Sequence, residues 1–276
     1  NIIPQYIKHY WLISIFTIIQ CFFLLKIKYI PKEKILLNTK NILSCLIGFS
    51  ILIIGARGGT QLKPIKPINA GELSHPRNDA LILNTPFCIL HSIDQKPLKI
   101  YNYFEPKKLS SIYSPIHFPK SLEMNKKNII ILIMESYSKE FIGFYNEGVG
   151  YTPFLDSLMQ YSIVFENAYA NGLKSIEALP AITASIPALM KNPFITSNQA
   201  QNKFTSIASI LNDEGYTSSF YHGGMRGTMG FYSFSKKAGF IGYFGMEEYN
   251  QNDDFDGSWG IYDGPFMRYF AKGINQ

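Results

Sequence analysis

Asn128-Ile129-Ile130-Ile131-Leu132-Ile133-Met134-Glu135-Ser136 is the stretch on which the fold turns. Six apolar residues in a row, four of them isoleucine, leave no polar face. The run therefore reads as a strand buried on both sides, the pattern of a parallel sheet covered by helices. Glu135 stands at its carboxyl end. Ligands gather at that edge of open α/β sheets, and a carboxylate there is placed for a metal; the alternative is a capping or solvated glutamate.

Downstream, Thr152-Pro153-Phe154-Leu155-Asp156-Ser157-Leu158 reads as a helix start with proline near its first position. Ser162 to Tyr169 reads as a second strand. The chain then turns through Asn171-Gly172-Leu173-Lys174 into Ser175-Ile176-Glu177-Ala178-Leu179-Pro180, which places Ser175 at a strand-to-helix turn. A hydroxyl there is either a plain helix cap or a nucleophile beside Glu135, with helix N–H groups ready for an anion. The acidic cluster Asp253-Asp254-Phe255-Asp256 reads as a solvated loop in preference to a calcium site. Trp259, Tyr262 and the aromatic stretch Phe231 to Phe244 read as packing, and Gly264 to Lys272 as a helix.

Upstream the chain changes character. Residues 1–127 carry 17 Lys/Arg against 6 Asp/Glu, a balance of +11, whereas residues 128–276 carry 9 against 14, a balance of −5. The basic residues bracket apolar runs and do not interleave with aromatics on a folded face, which argues against nucleic acid as a partner. Tyr10 to Leu25 and Asn41 to Ala56 are each sixteen uncharged residues without a polar stripe. With snorkelling flanks they read as two membrane-spanning helices, about 10–28 and 41–56; the alternative is two buried core helices. The connecting Lys26 to Lys40 holds five lysines and one glutamate, so it is assigned to the cytoplasmic side and everything after Arg57 to the outside. From Gly58 to Lys127 prolines recur, and the stretch reads as an extended tether, with a short helix over 84–93. The expected organisation is a membrane segment (1–57), an extracytoplasmic Pro-rich tether (58–127) and a folded domain (128–276). Three cysteines are too few for a disulfide scaffold or a cysteine-based zinc site.

Six ordered segments, NIIILIMES (128–136), YTPFLDSL (151–158), FENAY (165–169), NGLKSIEAL (171–179), GYTSSFYHGG (215–224) and WGIYD (259–263), resemble lipoteichoic acid synthases and related phosphoglycerol transferases. These are membrane-anchored members of the sulfatase and alkaline phosphatase superfamily. The resemblance implies an α/β/α sandwich of the alkaline phosphatase/sulfatase type, incomplete at the C-terminus, preceded by transmembrane helices in a multi-pass cell-membrane protein. It further implies that Glu135 is a metal ligand and that Ser175 stands where the family usually has a nucleophilic threonine and also meets the metal. Lys174 matches the family's Lys-Thr pair. His222 matches a histidine that contacts the substrate phosphate, and Arg226 is a second substrate-binding candidate. The family's Trp and Arg near this point are replaced by Gly227-Thr228-Met229-Gly230-Phe231.

The implied cofactor is a divalent metal, manganese first, with magnesium or zinc as alternatives. The implied reaction moves a phosphoglycerol-type headgroup from a phospholipid to an envelope glycan or polymer through a phosphoserine. Phosphoethanolamine transfer, sulfatase-like hydrolysis and a non-catalytic membrane-anchored binding protein are the alternatives. Formylglycine sulfatase chemistry fits poorly, because Ser175-Ile176-Glu177 lacks the required proline and Ser185-Ile186-Pro187-Ala188-Leu189 lacks the arginine. The family's late Asp-His metal ligands have no counterpart, since no Asp-His pair occurs and His222 is the last histidine. The expectation is therefore a stretch of a longer protein that is inactive by itself; the alternative is a degenerate enzyme.

Overall fold

A computed structural model describes residues 15, 18–19, 21–23, 26, 38–60, 64–73, 78–93, 100, 102–114, 116, 118 and 125–275. The chain divides into two compact units, Asn1–Pro64 and Ile65–Gln276.

In the first unit, α1 (Thr39–Arg57) is nineteen residues long, with no residue buried. At 1.5 Å per residue it measures about 28 Å, close to the thickness of a bilayer's hydrocarbon layer. It is a helix long and apolar enough to cross a membrane. The helix ends where Gly58 takes a left-handed φ of 85° and its N–H caps the last turn at Gly55 O. Glycine adopts that conformation without the Cβ penalty other residues meet. The first apolar run, 10–28, lies for the most part outside the described residues.

The second unit begins earlier than the sequence implies. Short helices form at α2 (Ala70–Leu73), α3 (Asp79–Ile82), α4 (Thr85–Ser92) and α5 (Pro106–Ile112). The extended tether expected over 58–127 is corrected in part, because the described residues 65–73 and 78–82 fold with the second unit. Ile68 and Ala70 are buried. The Ser233 hydroxyl donates to Glu72 Oε1 at 2.6 Å. Lys237 Nζ lies 3.2 Å from Asp79 Oδ2 in a largely buried ion pair and also donates to Gln201 O at 2.8 Å. Glu72 and Asp79 stand more than 150 residues from Ser233 and Lys237 in the chain, so no local pattern announces these pairs.

The body of the unit comprises α6 (Pro153–Met159), α7 (Ser175–Ala184), α8 (Ile207–Asp213), β1 (Ser219–Tyr221), α9 (Phe231–Lys237), β2 (Gly242–Phe244), α10 (Met246–Tyr249) and α11 (Asp263–Ile274). β1 and β2 pair in parallel with α9 between them in the chain, in the register Ser219↔Gly242, Phe220↔Tyr243, Tyr221↔Phe244. This is a βαβ unit. Its core gathers Leu179, Ile195, Phe231, Phe234 and Ala238, with Phe194, Phe204, Phe220 and Phe240 packed around them. Phe234 stacks on Phe204 with ring centroids 5.6 Å apart. Packing is thus the fate of the aromatic stretch 231–244, as the sequence implied. Trp259 and Tyr262 depart from that expectation: they are 75% and 57% exposed.

Two expected strands are also corrected. Among the described residues the sheet has two strands, and residues 128–134 run without a ladder partner. Their apolar side chains, Ile129 to Met134, are 41–58% exposed. Residues 162–169 form turns and irregular backbone. A strand apolar on both faces is buried only between two neighbours and under helices, and no described segment takes either place. By contrast the helix starts at Pro153 and Ser175 and the helix over 264–272 stand where the sequence put them.

Candidate active site

Glu135 follows the exposed apolar run, and the next residue, Ser136, turns the chain with a left-handed φ of 60°. That region costs a residue with a Cβ about 1–2 kcal/mol. The Ser136 hydroxyl faces Glu135 Oε1 at 3.4 Å.

Ser175 is the first residue of α7, with Lys174 as its N-cap. Glu177, three positions beyond the cap, reaches back and accepts from the Leu173 N–H at 2.9 Å, which fixes the turn. Ile176 and Leu179 anchor the helix in the aromatic core, so the hydroxyl is carried on a rigid support. Across forty residues of sequence, Ser175 Oγ donates to Glu135 Oε2 at 2.5 Å. A hydrogen bond this short between a hydroxyl and an ionised carboxylate is of the charge-assisted kind. The pair places a hydroxyl oxygen, an acceptor for its proton and the first N–H groups of a ten-residue helix in one spot, an arrangement that can serve nucleophilic attack on an anion.

The other sequence candidates are placed differently. Lys174 is exposed. His222 follows β1, and its backbone N–H donates to Phe244 O at 3.0 Å. Its ring lies edge-on to Phe231 at 4.9 Å, and Nδ1 is 3.3 Å from the Tyr243 hydroxyl. Burial holds His222 below the ordinary histidine range, with the Glu247 carboxylate opposing in part, so the ring is neutral at pH 7. No hydrogen bond joins His222 to Glu135 or Ser175 among the described residues. Arg226 is committed within the chain: its guanidinium pairs with Glu248 and lies 5.1 Å over the Tyr232 ring. Its hydrogen bond to Glu248 raises its pKa further. The substrate-binding candidate Arg226 thus sits in an ion pair at the rim of α10.

The acidic cluster is a loop, as expected. Asp256 Oδ1 accepts from the N–H groups of Ser258, Trp259 and Gly260 at 2.7, 2.7 and 3.1 Å. Those bonds hold its carboxyl below the usual range. Among the described residues no three His, Cys, Asp or Glu side chains converge as a metal centre would require. Glu135 and Ser175 supply two hard oxygen donors, the right chemistry for manganese or magnesium but well short of the octahedral set these ions take. The residues present do not complete a metal site.

Sequence reasoning missed Ser136 and Tyr243. Ser136 carries a signal only in its backbone, which no sequence pattern shows. Tyr243 lay among aromatics that read as packing.

The family model described as Sulfatase matches residues 127–276. Lipoteichoic acid synthase 2 of Bacillus subtilis (strain 168) is 26% identical over 147 residues, covering 51% of this chain and 22% of that protein. The chain thus spans about a fifth of the length of this relative. Among solved structures, a protein in the alkaline phosphatase superfamily from Vibrio parahaemolyticus is 28% identical over 49% of this chain and 33% of its own, with a TM-score of 0.45. The lipoteichoic acid synthase LtaP from Listeria monocytogenes is 15% identical over 46% and 31%, with a TM-score of 0.42.

Proposed function

We propose a function that proceeds from one premise: the chain belongs to the sulfatase family, and so to the alkaline phosphatase/sulfatase superfamily of folds and enzymes. On that premise we read the protein as a membrane-anchored, metal-dependent transferase. It moves a phosphoglycerol-type headgroup from a phospholipid to an envelope glycan or polymer, through a phosphoserine at Ser175. The observation that carries the reading is the 2.5 Å bond from Ser175 Oγ to Glu135 Oε2 at the N-terminus of α7.

The chemistry follows from that pair. The Ser175 hydroxyl is a weak nucleophile at its own pKa, and an adjacent base activates it. Glu135 accepts the hydrogen bond and orients the oxygen. Attack on the donor phosphodiester forms the Ser175 Oγ–P bond, breaks the bond to the lipid alcohol and returns a proton to that alcohol. An acceptor hydroxyl then attacks the phosphoserine and regenerates Ser175. The unpaired N–H groups at the start of α7 favour the anionic phosphoryl oxygens in both steps. His222 is read as a neutral hydrogen-bond donor to a phosphoryl oxygen and Lys174 as an exposed cation near the donor headgroup. The metal dependence is tested separately, by chelation, since the residues present do not complete an ion's ligand set.

α1 supports the membrane anchor, and the similarity to lipoteichoic acid synthase 2 supports phosphoglycerol ahead of phosphoethanolamine. The deciding experiment uses the full-length protein with headgroup-labelled phosphatidylglycerol in parallel with labelled phosphatidylethanolamine. Loss of label from phosphatidylglycerol alone, abolished by Ser175→Ala, is the expected result. Unchanged transfer in Ser175→Ala rejects the assignment, and anion binding without turnover in both proteins turns the reading to a binding module.

A further inference from the structure

The Tyr243 hydroxyl has one hydrogen-bond partner among the described residues, His222 Nδ1 at 3.3 Å. The ring is buried, at 6% exposure, between Phe220, stacked at 5.6 Å, and Tyr232, edge-on at 5.0 Å. A phenol has one proton to give, and a buried donor is costly without an acceptor. If the imidazole donated from Nδ1 instead, the phenolic O–H would be left without one. The stable arrangement is therefore O–H to Nδ1, which leaves the imidazole proton on Nε2.

The surroundings fit this arrangement closely. A Cβ on Gly224 would lie 2.7 Å from His222 Cε1, and one on Gly245 would lie 2.8 Å from Tyr243 Cε1. Glycine at both places lets the backbone close on the two rings. The charged groups nearby are otherwise engaged: Glu247 accepts from the Arg226 N–H at 3.0 Å, and Glu248 pairs with the Arg226 guanidinium. The same burial raises the Tyr243 pKa and lowers that of His222, so both groups are neutral across the physiological range.

We propose that Tyr243 is a positioning residue for His222: its hydroxyl donates to Nδ1 and holds the ring as the tautomer that offers Nε2–H to a phosphoryl oxygen. This rests on the reading of His222 as a phosphate contact.

The test uses full-length protein with ring-¹⁵N histidine and headgroup-labelled phosphatidylglycerol vesicles. His222→Gln identifies the His222 resonances among the five histidines of this stretch. The wild type is expected to show the Nε2–H tautomer, and Tyr243→Phe a mixture of the two. In transfer assays Tyr243→Phe is expected to lower kcat/KM about tenfold, the scale of losing a partner that orients a histidine. In His222→Gln an amide N–H stands where Nε2–H stood and needs no tautomer. Adding Tyr243→Phe to it is expected to change transfer less than about twofold. An unchanged tautomer together with unchanged kcat/KM in Tyr243→Phe overturns the positioning role. So does a double variant that falls as far as Tyr243→Phe alone, the mark of a merely structural tyrosine. Wild-type transfer in His222→Ala overturns the prior reading of His222, a failure the tautomer spectrum keeps distinct from that of Tyr243.

Discussion

Residues 194–244 and residues 128–136 of the same unit are both rich in apolar side chains, yet one stretch is core and the other is surface. Ile195 and Phe234 are wholly buried, whereas Ile130 is 58% and Leu132 55% exposed. The difference lies in the distance to a partner. β1, α9 and β2 lie within 26 consecutive residues and cover one another, while the run ending at Glu135 has no neighbour nearby in sequence. The candidate nucleophile is held from both sides of this divide. Ser175 rides on a helix rooted in the core, and the carboxylate it touches ends the uncovered run.

The contrast gives an ordered set of tests. Ser175→Ala in the full-length protein is expected to abolish headgroup transfer, a fall of at least a thousandfold, while thermal unfolding stays within a degree or two of wild type. Transfer is also expected to cease on chelation and return with manganese; activity that persists in chelator removes the metal from the reading. Phe234→Ala is expected to cost about 3–5 kcal/mol by denaturant unfolding, and Ile131→Ala less than about 1 kcal/mol in this stretch. Equal losses would mean that the exposed run is covered in solution. Lys237→Met leaves the Asp79 carboxylate buried without its cation and is expected to cost about 3 kcal/mol. A null effect there would release the segment around Asp79 from the core.

The smallest effect is one of pH. His222 has a folded pKa below the unfolded value of about 6.5. As pH falls below that value the unfolded chain takes up a proton that the folded chain still refuses, so this group's contribution is intact above pH 7 and declines as pH drops towards the folded pKa. Unfolding measured between pH 7.5 and 5 is expected to show this decline, and His222→Gln to flatten it.

How far the sequence could be read follows the same divide. The starts of α6 and α7, at Pro153 and Ser175, were legible because caps and prolines act within one turn. The chain stretch of α1 was legible because sixteen uncharged residues need no partner to be noticed. Glu135 and Ser175 were picked out by their places at a strand end and a helix start, and forty residues apart they do touch. Docking of the segments around Glu72 and Asp79 was invisible, because these residues meet Ser233 and Lys237 only through the tertiary fold. The ion pair of Arg226 was invisible for the same reason: its partner Glu248 lies on a helix whose approach no spacing rule gives. Tyr243 hid in an aromatic run where packing is the ordinary reading, and its hydroxyl mattered only once His222 stood beside it.

The parallel pairing of Ser219 with Gly242, only 23 positions apart, bears on how the protein is made. Closing so short a loop sacrifices little chain entropy, so the crossover is expected to assemble early, with Phe234 showing high φ-values. The run at 128–134 has no partner so close in sequence and is still a bare, adhesive ribbon while the crossover forms. During that interval it is the segment most exposed to aggregation and most in need of a chaperone. Ser175 gains its carboxylate partner only when Glu135 meets α7 across forty residues of sequence, so the acquisition of activity is expected to lag behind the burial of the aromatic core.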